Sequence, residues 1–439
     1  MSIRPSINIL NYELAPSPAT IFGCLLPAPW LGALAGVLLA FGNSNGLPDR
    51  FAPLALALTH CLVLGMLAPI MIGALFQLMP VVAGQTVVAA RYLAPCVALG
   101  SAFIAMALAV GFLAGDLRGF QLAIGVALPL YGAVIAALGA TAWRISVVDT
   151  TTRTLRWIAL AFLMVVVLGI AMAGSFVGWW HIDIMHFLDL HVAWGVLGWT
   201  ATLVLGIAST TVPMFWQTVR PGTHWQTYLP GCLWLPLMVA FFPPCWSLAL
   251  VLACLVVGGT AGIALYVVWH AKRRFDPTWV LWVVCAISWL CAALLVFMLG
   301  VFSPYLPASL KLIFPWWIGV LTLVGGAVLP INAMLGKIIP FLVFMHLRRQ
   351  TPAGRRVPTM QAILAPQRLL LQARVVLLAF ILLLLLPFSP SVLAMVAGFT
   401  FAASQGLLGI LLALSLLRYR RELHAVLFPP GISDIPQKN

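Results

Sequence analysis

The sequence predicts an all-α integral membrane protein of about twelve transmembrane helices, a single polytopic domain over residues 1–439. Three observations predict it. Of the 439 residues, 63% are hydrophobic and 7% charged, where a soluble domain carries about a quarter charged residues. The apolar residues form long continuous runs, not the alternating segments of about ten residues that a membrane β-barrel shows, so helices are the spanning solution. Finally, the basic residues that give a formal net charge of +14 sit in short segments between the runs. That pattern points to topology and a lipid bilayer as the partner, not to nucleic acid.

The first six runs fall near residues 21–41, 52–84, 92–114, 120–143, 157–178 and 188–214. The second six fall near 228–242, 247–270, 278–302, 312–345, 375–388 and 391–417. About 20 apolar residues match a bilayer core roughly 30 Å thick. Placing the N-terminus in the cytoplasm assigns 19 of the 23 Lys and Arg to cytoplasmic segments and leaves only Arg50, Arg118 and Lys311 outside, with Lys337 inside a run. This positive-inside bias predicts a multi-pass protein of a bacterial-type inner membrane with both termini cytoplasmic. The basic stretch 347–374 reads as a cytoplasmic connector touching anionic headgroups. Trp179, Trp180, Trp316 and Trp317 fall at the opposite ends of their spans, where aromatic belts form.

The eight cysteines form no CxxC pair, so neither a zinc knuckle nor a redox dithiol is expected. The N-terminus lacks the basic start and apolar stretch of a removed signal peptide. There is no nucleophile motif, nucleotide loop or spaced carboxylate pair, and the chain does not read as an enzyme.

His60 is the residue that most needs an explanation. It lies in Ala52–Gly84, which contains no Asp, Glu, Lys or Arg, and an ionisable group at that depth usually faces a partner, a cofactor or the bundle interior. His191 stands similarly near the start of its run. The spans carrying His60, His191 and Trp316 are the second, sixth and tenth, four helices apart and parallel. Each ends in prolines: Pro80 is 20 positions after His60, Pro213 is 22 after His191, and Pro330 and Pro340 close the tenth. Three pseudo-symmetric four-helix units follow from this repetition. On an α-helix Gly195 and Gly198 share the face of His191, a bare stripe on which a flat ligand could lie. The row Cys61, Gly65, Pro69 and Gly73 starts about 100° from His60 and suits close approach of a neighbouring helix.

In these residues the second span resembles the membrane protein family NnrS, associated with the response to nitric oxide. More distantly it resembles subunit I of the haem–copper oxidases. The pattern of a histidine, spaced glycines and Pro-x-x-x-Gly is matched by His60, Gly65, Gly73, Pro80 and Gly84; LHVAWGVLGWTATLVLG around His191 is similar to the family's histidine-and-glycine helix. The resemblance implies a haem, with copper as a second candidate. His60 stands as a haem ligand, His191 as a ligand of copper or of the same haem, and Gly65, Gly73, Gly195 and Gly198 stand around the cofactor. The chain departs from the oxidases in having no His-x-His in the tenth span and no His-His in the seventh, so oxygen-reducing chemistry is not expected.

A second candidate site is HIDIMHFLDLH, where His181, His186, Asp183 and Asp189 offer imidazole and carboxylate ligands suited to zinc, copper or iron. Successive histidines five residues apart stand about 140° apart on a helix, which is poor for chelation by one helix. Lys337, late in the tenth span, reads either as snorkelling to headgroups or as part of a proton or substrate path. The rival reading of the whole chain is a secondary transporter with its site at broken helices; a purely structural role is the third.

Overall fold

In a computed structural model, which describes residues 11–219, 227–352 and 354–427, the chain is helical, with no strand among the described residues. Eleven helices there are long and apolar enough to cross a membrane: α1 Pro18–Phe41, α2 Pro53–Ala83, α3 Ala90–Ala114, α4 Leu117–Ala142, α5 Thr150–Val177, α6 Ile184–Trp216, α8 Pro243–Trp269, α9 Trp279–Val301, α10 Ala308–Gln350, α11 Pro366–Phe388 and α12 Pro390–Leu427. The seventh run, expected over 228–242, is only the ten-residue helix α7, Gly231–Ala240. At 1.5 Å per residue that is roughly 15 Å, half a bilayer core. Prolines cause the shortening: Pro230 stands just before the helix, Pro236 removes a hydrogen bond within it, and Pro243 and Pro244 follow it.

Two other boundaries differ from expectation. The helix of α10 runs on through Arg348 and Arg349 to Gln350, and α11 begins at Pro366, with a single turn of helix at Met360–Ile363 between them. The connector is therefore shorter than 347–374. Helix α1 is made of two pieces, Pro18–Leu25 and Ala28–Phe41, meeting at Pro27.

Consecutive helices pack side by side, α3 on α4, α4 on α5, α7 on α8, α8 on α9 and α11 on α12, and α12 returns to α1 and closes the bundle. The α1–α12 contact is backbone to backbone: a Cβ on Gly36 would lie 2.6 Å from the Ala402 nitrogen. Small residues permit that approach where lipid supplies no hydrophobic drive between helices.

Helices α2, α6 and α10 share one plan that the sequence only hinted at. Each starts as an α-helix, widens into a π-helical segment and resumes as an α-helix. The π segments are Cys61–Leu67, Trp194–Ala201 and Val320–Val328. In each, a proline follows twelve or thirteen residues after the π segment, at Pro80, Pro213 and Pro340. These three helices converge on one cavity, and α2 is the most enclosed span of all, with 78% of its apolar window buried.

Candidate functional site

The two span histidines lie in the half of the bundle where α2 and α6 begin. His60 is the eighth residue of α2, about 10 Å in from its start. His191 lies in the last turn of the first α-helical part of α6, three positions before the π segment starts at Trp194. Their helices are tied at this end by Arg50, just ahead of α2, which pairs with Asp189 of α6 at 3.5 Å. The imidazoles are near enough for charge on one to act on the other.

Each ring is oriented by its Nδ1. In His60 this atom lies 2.8 Å from the carbonyl oxygen of Leu56, one turn back on α2. In His191 it lies 3.2 Å from the carbonyl of Val165 on α5. A carbonyl only accepts, so both Nδ1 atoms carry the proton and donate. The neutral tautomer then leaves the Nε2 lone pair free on each ring, and neither Nε2 has a hydrogen-bond partner among the described residues. A backbone carbonyl that fixes the tautomer and aims the opposite nitrogen is the usual support of a metal-bound histidine.

The surroundings are apolar and partly open, and both histidines are half-buried. The Phe112 ring of α3 lies 5.1 Å from that of His60 at a tilt of 32°, backed by Phe120 of α4 and Phe176 of α5. Gly169 of α5 makes room for His191, because a Cβ there would come within 3.1 Å of the ring's Cε1. A Cβ on Gly195 would meet nothing within 4 Å, so this side of α6 is open.

The other expected glycines are elsewhere. Gly65 and Gly73 face α1: a Cβ would lie 3.1 Å from the Leu31 Cβ and 2.8 Å from the Cys24 Cβ respectively. They are packing residues, as their angular offset from His60 suggested. Gly198 does not share the His191 face. The widened turn from Trp194 onward breaks the α-helical spacing, and a Cβ on Gly198 would strike Trp194 at 2.6 Å and Leu237 of α7 at 3.3 Å.

The second candidate site is also corrected. No group of three or more His, Cys, Asp or Glu that could hold a metal ion exists among the described residues. His181 precedes α6. Asp183 caps the helix, accepting from the His186 backbone nitrogen at 3.2 Å, and Asp189 is engaged by Arg50. The His186 ring packs 6.1 Å from Trp246. Lys337 neither snorkels nor stands alone: it pairs with Asp276 in the short link between α8 and α9, and its Nζ lies 6.0 Å from the Trp216 ring.

Sequence reasoning missed Gly169, Phe112 and Asp276. The Leu56 contact follows from i, i−4 spacing, but nothing in the sequence tells which glycine of α5 faces which histidine. The donor set fits ligation of a haem iron or a copper ion by one or two imidazoles. It does not fit an oxidase binuclear centre, for which further histidines are needed. No protein-family model matches the chain, and no curated protein matches it.

Proposed function

We propose that this polytopic membrane protein holds a haem or a copper ion between α2 and α6, with His60 and His191 as its protein ligands. One observation carries the reading: two imidazoles in the same half of the bundle, each oriented by a backbone carbonyl into the tautomer that leaves Nε2 free, in an apolar setting. A bound haem or copper would supply one-electron chemistry and a seat for a diatomic gas such as nitric oxide. The protein's own contribution is to hold both Nε2 atoms unprotonated, to restrict water with Phe112, and to leave open space beside Gly195. With the basic ends of the helices in the cytoplasm, the histidines lie in the outer half of an inner membrane. Such a protein fits a nitric oxide or redox-stress response better than turnover of oxygen, because no third histidine joins the pair among the described residues.

The test is the visible spectrum and metal content of protein purified in detergent from haem-sufficient cells. The expected result is a Soret band, or stoichiometric copper, that is lost in both His60→Ala and His191→Ala while the variants stay monodisperse. A colourless, metal-free wild-type protein overturns the reading. The permease reading is favoured by one observation, the three interrupted helices around a common cavity, and a cofactor-free protein would leave it in the lead.

A further inference from the structure

Residues 270–278 link α8 to α9, and this short link is bonded to two of the three interrupted helices at once. On α6 the contacts are backbone to backbone. The Lys272 N–H donates to the Gln217 carbonyl at 3.4 Å, and the Arg273 N–H to the Trp216 carbonyl at 3.2 Å. On α10 the contact is between side chains, Asp276 with Lys337. The fit there is close, since a Cβ on Gly336 would lie 3.7 Å from the Thr278 Cγ2. The link is also braced from within. Trp279 Nε1 donates to the Val268 carbonyl at 2.9 Å, and Arg274 Nε to that of Ala271 at 3.1 Å. Asp276 Oδ1 accepts from the Thr278 backbone nitrogen at 3.0 Å and from its hydroxyl at 2.6 Å, while Oδ2 takes Lys337.

A chain of ring contacts joins this link to the cavity where α2, α6 and α10 converge. The Lys337 Nζ lies 6.0 Å from the Trp216 ring. That ring lies 6.0 Å from each of Phe215 and Trp282, and Phe215 lies 6.0 Å from Phe341. Phe215, Trp282 and Phe341 are wall residues of the cavity, which has a volume of about 130 Å³. No Asp, Glu, Lys or Arg among the described residues lines it. The ion pair therefore stands behind an aromatic wall, and its link holds both helices that supply Phe215 and Phe341. The two attachments differ in kind. Helix α6 is held by backbone bonds that continue its own end, whereas α10 is held by one pair of charges, which is lost as a unit when either charge is removed. Pro330 stands at the start of the second α-helical part of α10, directly after the π segment. Prolines and π segments are where helices bend, so α10 has a hinge between its outer half and Lys337.

We propose that residues 270–278 form a clasp that closes the cavity at the end of the bundle where α10 reaches Arg348 and Arg349, with the Lys337–Asp276 pair as the bond that releases. While the pair is made, Phe341 stays against Phe215. Breaking it frees α10 to bend at Pro330, parts the two rings and admits water to the cavity. The clasp lies apart from the histidine pair and needs no cofactor there.

The test is thiol labelling of the full chain carrying Ala74→Cys, a wall position on α2 outside the clasp. The protein is held in lipid nanodiscs, which expose both faces, and treated with a charged, membrane-impermeant maleimide. Mass spectrometry of the peptide carrying position 74 reads its rate apart from the native cysteines, and the buried Cys61 and Cys285 serve as controls. Labelling at position 74 should be slow with the pair intact. Lys337→Met should speed it about tenfold, as a shift of about 1.4 kcal/mol in the opening equilibrium gives. Asp276→Asn should do the same while keeping an oxygen for Thr278, and Lys337→Arg, which keeps the pair, should stay slow. Cys61 and Cys285 should not change. Fast labelling with the pair intact overturns the proposal, as does an unchanged rate in both release variants. A Lys337→Arg protein as fast as Lys337→Met would show that charge is not what holds the clasp. Equal acceleration at Cys61 and Cys285 would make the pair a general support of the bundle, and the clasp would fall. A melting temperature identifies any variant that fails to fold, and the two release variants act from opposite sides of the bond.

Discussion

Helices α2 and α6 differ from α10 in chemistry, although all three share the same interrupted plan. In each, an aromatic side chain ahead of the π segment donates a ring N–H to a backbone carbonyl: His60 to Leu56, His191 to Val165, and Trp316 to Leu383 of α11 at 2.8 Å. An imidazole has a second nitrogen to spare and an indole has none. The space differs in the same direction. Gly195 in the π segment of α6 faces open space, whereas Gly326 in that of α10 is closed by Trp289, whose Cε2 would lie 2.7 Å from an added Cβ. The third unit is thus packed shut where the second is open. The repeat supplies a scaffold three times and leaves a spare ring nitrogen at two of its positions.

The largest effect should come from erasing that difference. His60→Trp gives α2 the side chain α10 carries, a ring N–H without a spare nitrogen. The expected outcome is complete loss of the cofactor absorbance with the protein still folded, read by visible spectroscopy and size exclusion. Retained absorbance would remove His60 from the ligand set. Next in size is Lys337, a cation inside the apolar run of α10 with no counterpart in α2 or α6. Its pair with Asp276 is largely buried, at 21% and 12% side-chain exposure, and removing one partner of a buried pair costs about 3–5 kcal/mol. Lys337→Met should lower stability by about that much, measured by thermal melting in detergent. Adding Asp276→Leu should restore most of it, and a double variant no better than the single would show that the pair is not what was lost.

How far the sequence disclosed this arrangement depends on the distance over which each feature is written. Helix α2 is legible almost to the residue, 52–84 expected and Pro53–Ala83 found, because an uncharged run between Pro and Gly has one reading. The four-helix spacing of His60, His191 and Trp316 was legible too, as local landmarks. The π segments were not: an inserted residue per turn leaves no compositional trace in an apolar run, and it is what turned Gly198 away from His191. Asp276 was invisible as the partner of Lys337, since 61 residues separate them and only the tertiary fold joins them. The metal cluster expected at His181–Asp189 failed for a related reason. Local density of ligand-type residues does not say which are taken by a helix cap or an ion pair.

Glycine substitutions sharpen the same comparison at smaller scale. Gly73→Ala sets a methyl 2.8 Å from the Cys24 Cβ, and overpacking of this kind costs about 1–3 kcal/mol. Melting should report that loss with the cofactor spectrum unchanged. Gly195→Ala adds its methyl to open space, so stability should hold while any cofactor lying there binds more weakly. The reverse pattern would place the cofactor against α1 instead of α6.

Trp316→Phe should have the smallest effect and asks the sharpest question of α10. It removes the N–H donated to Leu383 and leaves a smaller aromatic ring at the contact with α11. A neutral hydrogen bond contributes about 0.5–1.5 kcal/mol net, and the accepting carbonyl belongs to a helix that can engage it otherwise, so the loss should fall at the low end. The spectrum should not move. If Trp316→Phe lowers stability by a small step and leaves the absorbance intact, whereas His60→Phe removes the absorbance, then the same ring-to-carbonyl bond is structural in one unit and orienting in the other. A spectral change in Trp316→Phe would instead mean that the third unit reaches the cofactor, and the division between closed and open repeats would fail.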